Sequence, residues 1–308
     1  MQDTRIAIRE VTRVVTAHRQ QEGGGFIVRR PLPTYGLELV DPFLLVDEMG
    51  PVEYGPGEAV GAPDHPHRGL ETVTYMLEGE GEHADSAGHR GVIRAGDVQW
   101  MTAGAGVVHA EMPSRRILEQ GGRVHGFQIW VNLPARSKMT RPRYQSIPSD
   151  RLPEARTEDG RAHVRVIAGE ALGACAVIET HTPIVYQDWT LRPGADVTVP
   201  LGPELQGFVY VFKGAARLGE TGRELRDGQM ALLGAGDAVR LRGPEEGMEP
   251  GRLLLLAGVP LREPVARYGP FVMNTRQELI QAFQDFESGR MGEITRTARV
   301  DDGTTLAP

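Results

Sequence analysis

Apolar residues along the chain cluster in short runs and rarely recur at helical spacing. Residues 72–77, 98–101, 126–132, 207–212 and 253–256 are rich in β-branched, aromatic and aliphatic side chains, and glycines bound most of them. Runs of this length between turn residues predict strands. In two of them the side chains alternate: Val98 and Trp100 with Gln99 and Met101, and Phe127, Ile129 and Val131 with Gln128, Trp130 and Asn132. One set of each should line a barrel, and core packing is the default role for most of them. The polar, glycine-rich stretch 79–91 reads as a hairpin loop, and 137–161, rich in Arg, Pro and Ser, as a linker between halves. One short helix is predicted near the end, over 274–287. Asn274 would be its N-cap, with Gln277 three positions on and Leu279, Ile280, Phe283 and Phe286 on one apolar face. The pattern is that of an all-β protein with one C-terminal helix.

The pattern also repeats. Tyr75-Met-Leu-Glu-Gly79 resembles Tyr210-Val-Phe-Lys-Gly214, and the glycine pairs Gly96/Gly104 and Gly228/Gly236 follow, each eight residues apart. Two β-barrels of one architecture, joined near residue 140, are expected. At ~100–200 residues per domain, a chain of 308 residues agrees.

Composition narrows the setting. An aperiodic excess of 39 glycines and 22 prolines suits many turns and argues against a coiled coil. The longest apolar run, 253–259, is far short of the ~20 residues that span a bilayer. The start, Met1-Gln-Asp-Thr-Arg-Ile6, lacks the order of a signal peptide. Cys175 is the only cysteine, which leaves no internal disulfide or cysteine cluster, and it is expected to be a small buried hydrophobe. The expectation is a soluble cytoplasmic protein. A net charge of −7 disfavours direct binding to nucleic acid or an anionic membrane. Of the 34 basic residues only Lys138 and Lys213 are lysines, and the scattered arginines read as compositional bias before phosphate recognition. No Gly-x-Ser-x-Gly, P-loop or Gly-x-Gly-x-x-Gly motif supports a hydrolase, kinase or dehydrogenase.

Two spacings carry chemistry. His65-Pro66-His67 places two imidazoles at i and i+2, which share one face of an extended strand, and His109-Ala110-Glu111 repeats the spacing with a His and a carboxylate. Facing strands would converge the four side chains into a site for Fe(II), Mn, Ni, Cu or Zn, and an octahedral ion would keep two positions for water or substrate. Glu71, four after His67, competes with Glu111 as the acidic ligand. Asp64 could orient an imidazole from behind or cap a turn, and Arg68 could pair with a carboxylate or a substrate anion. Gly104 and Gly106 would let backbone pass close to the cavity. His18, His83, His89, His125, His163 and His181 lack partners at ligand spacing and are expected at the surface or behind the ligands. Laying the repeat over itself puts Pro200, Gly202, Leu241 and Gly243 at the four ligand positions, so only the first barrel should hold metal.

At these residues the sequence resembles the pirin family of the cupin superfamily. The resemblance lies in Asp64-His-Pro-His-Arg-Gly-Leu-Glu-Thr-Val-Thr-Tyr75 and Gly96-Asp-Val-Gln-Trp-Met-Thr-Ala-Gly-Ala-Gly-Val-Val-His-Ala-Glu111, with Asp41-Pro-Phe-Leu-Leu-Val-Asp-Glu48 and Tyr268-Gly-Pro-Phe-Val-Met-Asn274 in support. It implies two cupin barrels (jelly-roll-like double-stranded β-helices): a metal-binding one over 1–140 and one without ligands over 141–308. It further implies one iron, with other divalent ions including Co possible, held by His65, His67, His109 and Glu111, which decides against Glu71. Two roles follow from it. One is a quercetin 2,3-dioxygenase-type enzyme that opens a flavonol ring with O₂, Glu111 being both ligand and proton acceptor. The other is an iron-dependent regulatory module that binds a protein partner, such as a transcription coregulator or a modulator of a metabolic enzyme.

Overall fold

The apolar runs form strands whose alternation gives each sheet two different faces. The computed structural model describes residues 6–295; the start read for a signal peptide, apart from Ile6, and the outer ends of both expected barrels lie outside the described residues. All sheet pairings between strands are antiparallel. One seven-stranded sheet runs in the order Arg143–Ile147, Val98–Thr102, Leu70–Glu78, Gly122–Asn132, Phe43–Tyr54, Phe26–Leu32, His18–Glu22. The other runs Val11–Thr16, Gln229–Leu233, Gln206–Lys213, Gly251–Gly258, Ile184–Leu191, Ala162–Ala168, Glu154–Arg156. Each is completed by a four-stranded sheet, Ala62–His67, Val107–Pro113, Glu80–Asp85, Arg90–Arg94 in the first barrel and Asp196–Pro200, Ala238–Arg242, Ala215–Leu218, Arg223–Arg226 in the second. The two barrels therefore correspond strand for strand, and Gly79 and Gly214 occupy the same positive-φ turn in each.

The correspondence carries one exchange. Val11–Thr16 lies at the start of the chain yet closes the second barrel's sheet, while Arg143–Ile147, its counterpart at the start of the second repeat, closes the first. Each repeat thus lends its first strand to the other. This corrects the reading of 137–161 as a linker: it holds a sheet strand, the short 3-10 turn Ser149–Arg151 and the edge strand Glu154–Arg156. Its polar composition suits sheet edges, which must resist further pairing. The stretch 79–91 is likewise most of a hairpin. Its turn is fixed by the Asp85 carboxylate, which accepts the backbone N–H groups of Ala87 and His89.

The two seven-stranded sheets pack back to back. Val73, Tyr75, Val98, Trp100, Phe127, Ile129 and Val131 from one meet Tyr186, Phe208, Tyr210, Leu254 and Leu256 from the other in the largest buried cluster. At ~1.5–3 kcal/mol for each large apolar side chain buried, this shared layer is a major source of stability. Inside the second barrel lies a separate aliphatic core, with Val164, Val209, Leu225, Val239 and Leu255. Buried polar groups cross the shared layer in two matching sets. Tyr75 donates to Asp188 (2.8 Å), which also takes Arg252, and Arg165 reaches the Tyr75 hydroxyl. Tyr210, the repeat partner of Tyr75, donates to Glu48, which also takes Arg29 and His125.

The C-terminal helix starts one residue later than expected. Thr275 is the N-cap of Arg276–Glu287 in a capping box with Glu278, whose carboxylate also accepts the Asn274 N–H. Leu279 and Ala282 are buried, Phe283 packs edge-on to Phe271 at 4.8 Å, and Ile280 and Phe286 are more exposed than the helical period suggests. A short helix, Arg115–Gln120, capped by Ser114, was not legible in the sequence.

Replacing Glu48, which is fully buried and accepts from three donors, by Ala should destabilise the protein by about 3–5 kcal/mol, because Arg29 and His125 lose their shared carboxylate. Urea unfolding followed by tryptophan fluorescence reads the change, and a loss below about 1 kcal/mol would contradict the role given to this network.

Candidate metal centre and its cavity

Strand register brings the histidines together. Val107–Pro113 pairs with Ala62–His67 so that His109 stands opposite His65 and Val107 opposite His67, which puts three imidazoles on one face. Their candidate ligand atoms lie within 4.8 Å of one another. The chain breaks from this strand into the next at Gly69, where φ is +79° and an added Cβ would stand 2.0 Å from the Val272 carbonyl oxygen. Only glycine fits that turn.

The hydrogen bonds leave the right atoms free. His65 Nδ1 lies 2.7 Å from the Pro63 carbonyl and His67 Nδ1 3.3 Å from that of Pro270, an arrangement that turns both Nε2 lone pairs inward. His109 is 1% exposed, and neither of its ring nitrogens has a hydrogen-bond partner. Burial, reinforced by the neighbouring imidazoles, holds His67 and His109 well below the ordinary histidine pKa, so both are neutral at pH 7. Neutral imidazoles with inward lone pairs and an orphaned buried nitrogen fit a divalent metal.

Glu111 stands beside this cluster without joining it. Its carboxylate accepts Gln128 Nε2 on both oxygens (3.1 and 2.9 Å) and the Thr74 hydroxyl at 2.8 Å, and it lies outside the three-histidine group. Glu71 faces away. The turn at 68–69 breaks the parity that would align it with His67, and it shares the outer face of its strand with Val73 and Tyr75. There it accepts the Thr102 hydroxyl at 2.6 Å, and burial raises its pKa to about 6.

Other expectations resolve locally. Arg68 is buried and structural: its Nε donates to the Ala105 carbonyl and its Nη1 pairs with Asp285 of the C-terminal helix at 2.7 Å. Asp64 is exposed on the cavity rim, and the partner orienting His65 is the Pro63 carbonyl. Gly104 and Gly106 pack against Thr140 and Met291, not against the cavity. Cys175 is exposed, on the two-stranded hairpin Glu170–Ala171/Ala174–Cys175, because the apolar run around it is too short to reach a core. His83 and His125 are buried, the first stacked on Tyr144 at 5.3 Å and the second hydrogen-bonded through Nε2 to Glu48 at 2.8 Å.

The cluster opens into a cavity of about 610 Å³, with His65, His67, Thr74, Glu111 and Gln128 as its polar wall and Trp130 among its apolar one. The same register laid on the second barrel pairs Thr74 with Val209 and Gln128 with Leu255, and places Val197, Val199 and Leu241 at the three histidine positions. All five are buried aliphatics. The repeat alignment in sequence slipped by three residues at the first two, since the connection 201–205 is longer than 68–69. Thr74 and Gln128 were missed as site residues; their only sequence signal was a polar side chain alternating within an apolar strand.

A family model described as Pirin matches residues 25–131, and one described as Pirin C-terminal cupin domain matches 186–292. Pirin of Homo sapiens is 42% identical over 289 residues, covering 92% of this chain and 94% of its own. A pirin-like protein of Solanum lycopersicum is 42% identical over 285 residues, with 92% and 93% covered. The crystal structure of quercetin 2,3-dioxygenase from Acinetobacter baumannii superposes with a TM-score of 0.87 at 39% identity, covering 94% of this chain and 100% of that one.

Two outcomes test the centre. Metal analysis of the purified protein should find about one divalent ion per chain, and His109→Ala should lose it without unfolding; retention would exclude the triad. Glu71→Gln should stabilise the protein by on the order of 2 kcal/mol above about pH 6. The folded carboxyl keeps a proton that the unfolded chain loses from 4.5 upward, so stability falls as pH rises through that window to about 6. Denaturant titrations at about pH 8 and pH 4 check this, with the gain absent at the lower value.

Proposed function

The chain belongs to the pirin family, and on that premise we propose that it is a metal-dependent oxygenase of the quercetin 2,3-dioxygenase type, opening a flavonol-like ring with O₂. The observation that carries this reading is the three-histidine cluster, with neutral His67 and an orphaned, neutral His109, beside a cavity large enough for two ring systems. His65, His67 and His109 hold the metal, iron by family expectation, in a barrel spanning residues up to about 140; the barrel from 141 onward is its scaffold. A bound metal would supply a Lewis-acid centre that acidifies a coordinated flavonol hydroxyl and so favours its electron-rich anion.

The chain's own residues do the rest. Glu111 takes the proton of the substrate's 3-hydroxyl and can add its carboxylate to the metal's ligands by turning from Gln128. Thr74 and Gln128 hold that carboxylate aimed, because each donates to it. Trp130 and the apolar wall seat the rings and exclude water. The setting proposed is cytoplasmic, with no direct nucleic-acid partner.

An oxygen electrode paired with the loss of quercetin absorbance tests the proposal. The Fe(II)-loaded protein should consume O₂ with the flavonol. Glu111→Gln should lower the rate by about 10²-fold or more. Gln128→Leu, which writes the second barrel's residue into the first, should lower it by on the order of 10-fold while metal content stays unchanged. A metal-loaded protein inert towards a panel of flavonols overturns the enzymatic reading and moves it to the iron-dependent regulatory module. In that case Fe(II) and Fe(III) forms should capture different protein partners.

A further inference from the structure

We propose that Arg267 recognises a second, anionic group on the ligand, so that the cavity selects ring compounds carrying a carboxylate or an ionised phenol remote from the metal-binding end. The inference rests on the reading of this cavity as a substrate site and adds to it the ligand's charge.

Arg267 reaches the first barrel from the far end of the chain, on the short strand Ala266–Tyr268 that pairs with Phe271–Met273. It lines the cavity. Its guanidinium carbon stands 4.9 Å from the Trp130 ring centroid, and Nη1 donates to the Leu44 carbonyl at 3.0 Å. The centroids of Trp130 and His67 are 5.0 Å apart, edge to face. The wall is therefore a row of imidazole, indole and guanidinium, and the cation lies no more than about 10 Å from the His67 ring. Two fused rings, or one ring with a substituent, span that distance.

The neighbouring arginine is fully engaged. Arg30 donates through Nε and Nη2 to both oxygens of Asp47, and Nη2 also lies 2.8 Å from Glu22. Arg267 has no ion pair among the described residues. Burial and the positive charge of Arg30 lower its pKa, as expected of a cation held short of its counter-charge. A guanidinium over the indole ring with Nη1 on Leu44 has further N–H groups to offer, and they match a carboxylate or phenolate edge. The alternative is that Arg267 only balances Asp47 and Glu22. It then affects stability but has no influence on which ligand binds.

The test uses the full chain with a chelator present, so that a carboxylate cannot bind a metal at the histidines. Trp100 and Trp189 are fully buried, so quenching of tryptophan fluorescence by a cavity ligand reports on Trp130. The probes are naphthalene-2-carboxylate and its neutral amide. The carboxylate should bind on the order of 10-fold tighter than the amide, and added salt should weaken only the carboxylate. Arg267→Gln should abolish the preference and leave amide affinity within about 2-fold, while Arg267→Lys should keep part of it. A preference that survives Arg267→Gln, or equal binding of both probes to the unaltered protein, overturns the role of Arg267 and leaves the cavity reading standing. If neither probe binds, the cavity reading falls and this proposal with it.

Discussion

The packing of the two large sheets back to back is the constraint on which everything else in the molecule depends. A barrel that keeps a polar, hollow interior cannot be stabilised from within, since its lumen holds histidines, Thr74, Gln128 and a cavity instead of aliphatic side chains. The first barrel draws its burial from its outer face, where Val73, Tyr75, Trp100 and Phe127 meet the second barrel. The second barrel does the reverse: its lumen is filled by Val209, Leu255 and their neighbours, so it is rigid enough to serve as a wall. Hollow and filled barrels are two uses of one architecture, and the filled one makes the hollow one affordable.

The shared layer is also pinned polar group by polar group. Two tyrosines at equivalent repeat positions each reach across to the other barrel's acid, Tyr75 to Asp188 and Tyr210 to Glu48. Basic groups complete each set: Arg252 binds Asp188 while Arg165 reaches the Tyr75 hydroxyl, and His125 and Arg29 both bind Glu48. Unpaired, any of these groups would be costly in an apolar layer, so only one relative placement of the sheets satisfies both sets. The exchanged first strands add a covalent reason for the same placement, since Val11–Thr16 and Arg143–Ile147 each tie a repeat to the opposite sheet.

Much of this could be read in the residues, and what could not has physical causes. The histidine pairs and the apolar strands are local patterns with a period of two, and they reported faithfully on the faces that carry the histidines and the core. Periodicity fails where the chain turns. The Gly69 turn flipped Glu71 to the outer face, and the longer connection 201–205 shifted the repeat alignment by three. Polar composition misled at 137–161, because an edge strand and a linker use the same residues. Thr74 and Gln128 showed only as polar side chains in apolar strands, and Arg267 not at all, since each acts through a neighbour brought in from elsewhere in the chain: Glu111 for the first two, Trp130 for the third.

The C-terminal segment shows why such distant residues matter to the centre. Phe271 forms an isolated bridge with Arg68, the Pro270 carbonyl orients His67, and Asp285 in the helix binds the Arg68 guanidinium. Buried Lys138 spends its three N–H groups on the carbonyls of Gly69 and Val272 and on the Asn132 side chain, joining the turn after the histidines to that same segment. These contacts converge on residues 67–69, so the tautomer and angle of His67 are set by a piece of chain about two hundred residues away. His67, a candidate metal ligand in the first barrel, is thereby coupled to the helix that closes the fold. The motif His-Arg-Gly is then best understood as one device: a candidate ligand, an anchor to the helix, and the turn that lets the anchoring strand approach.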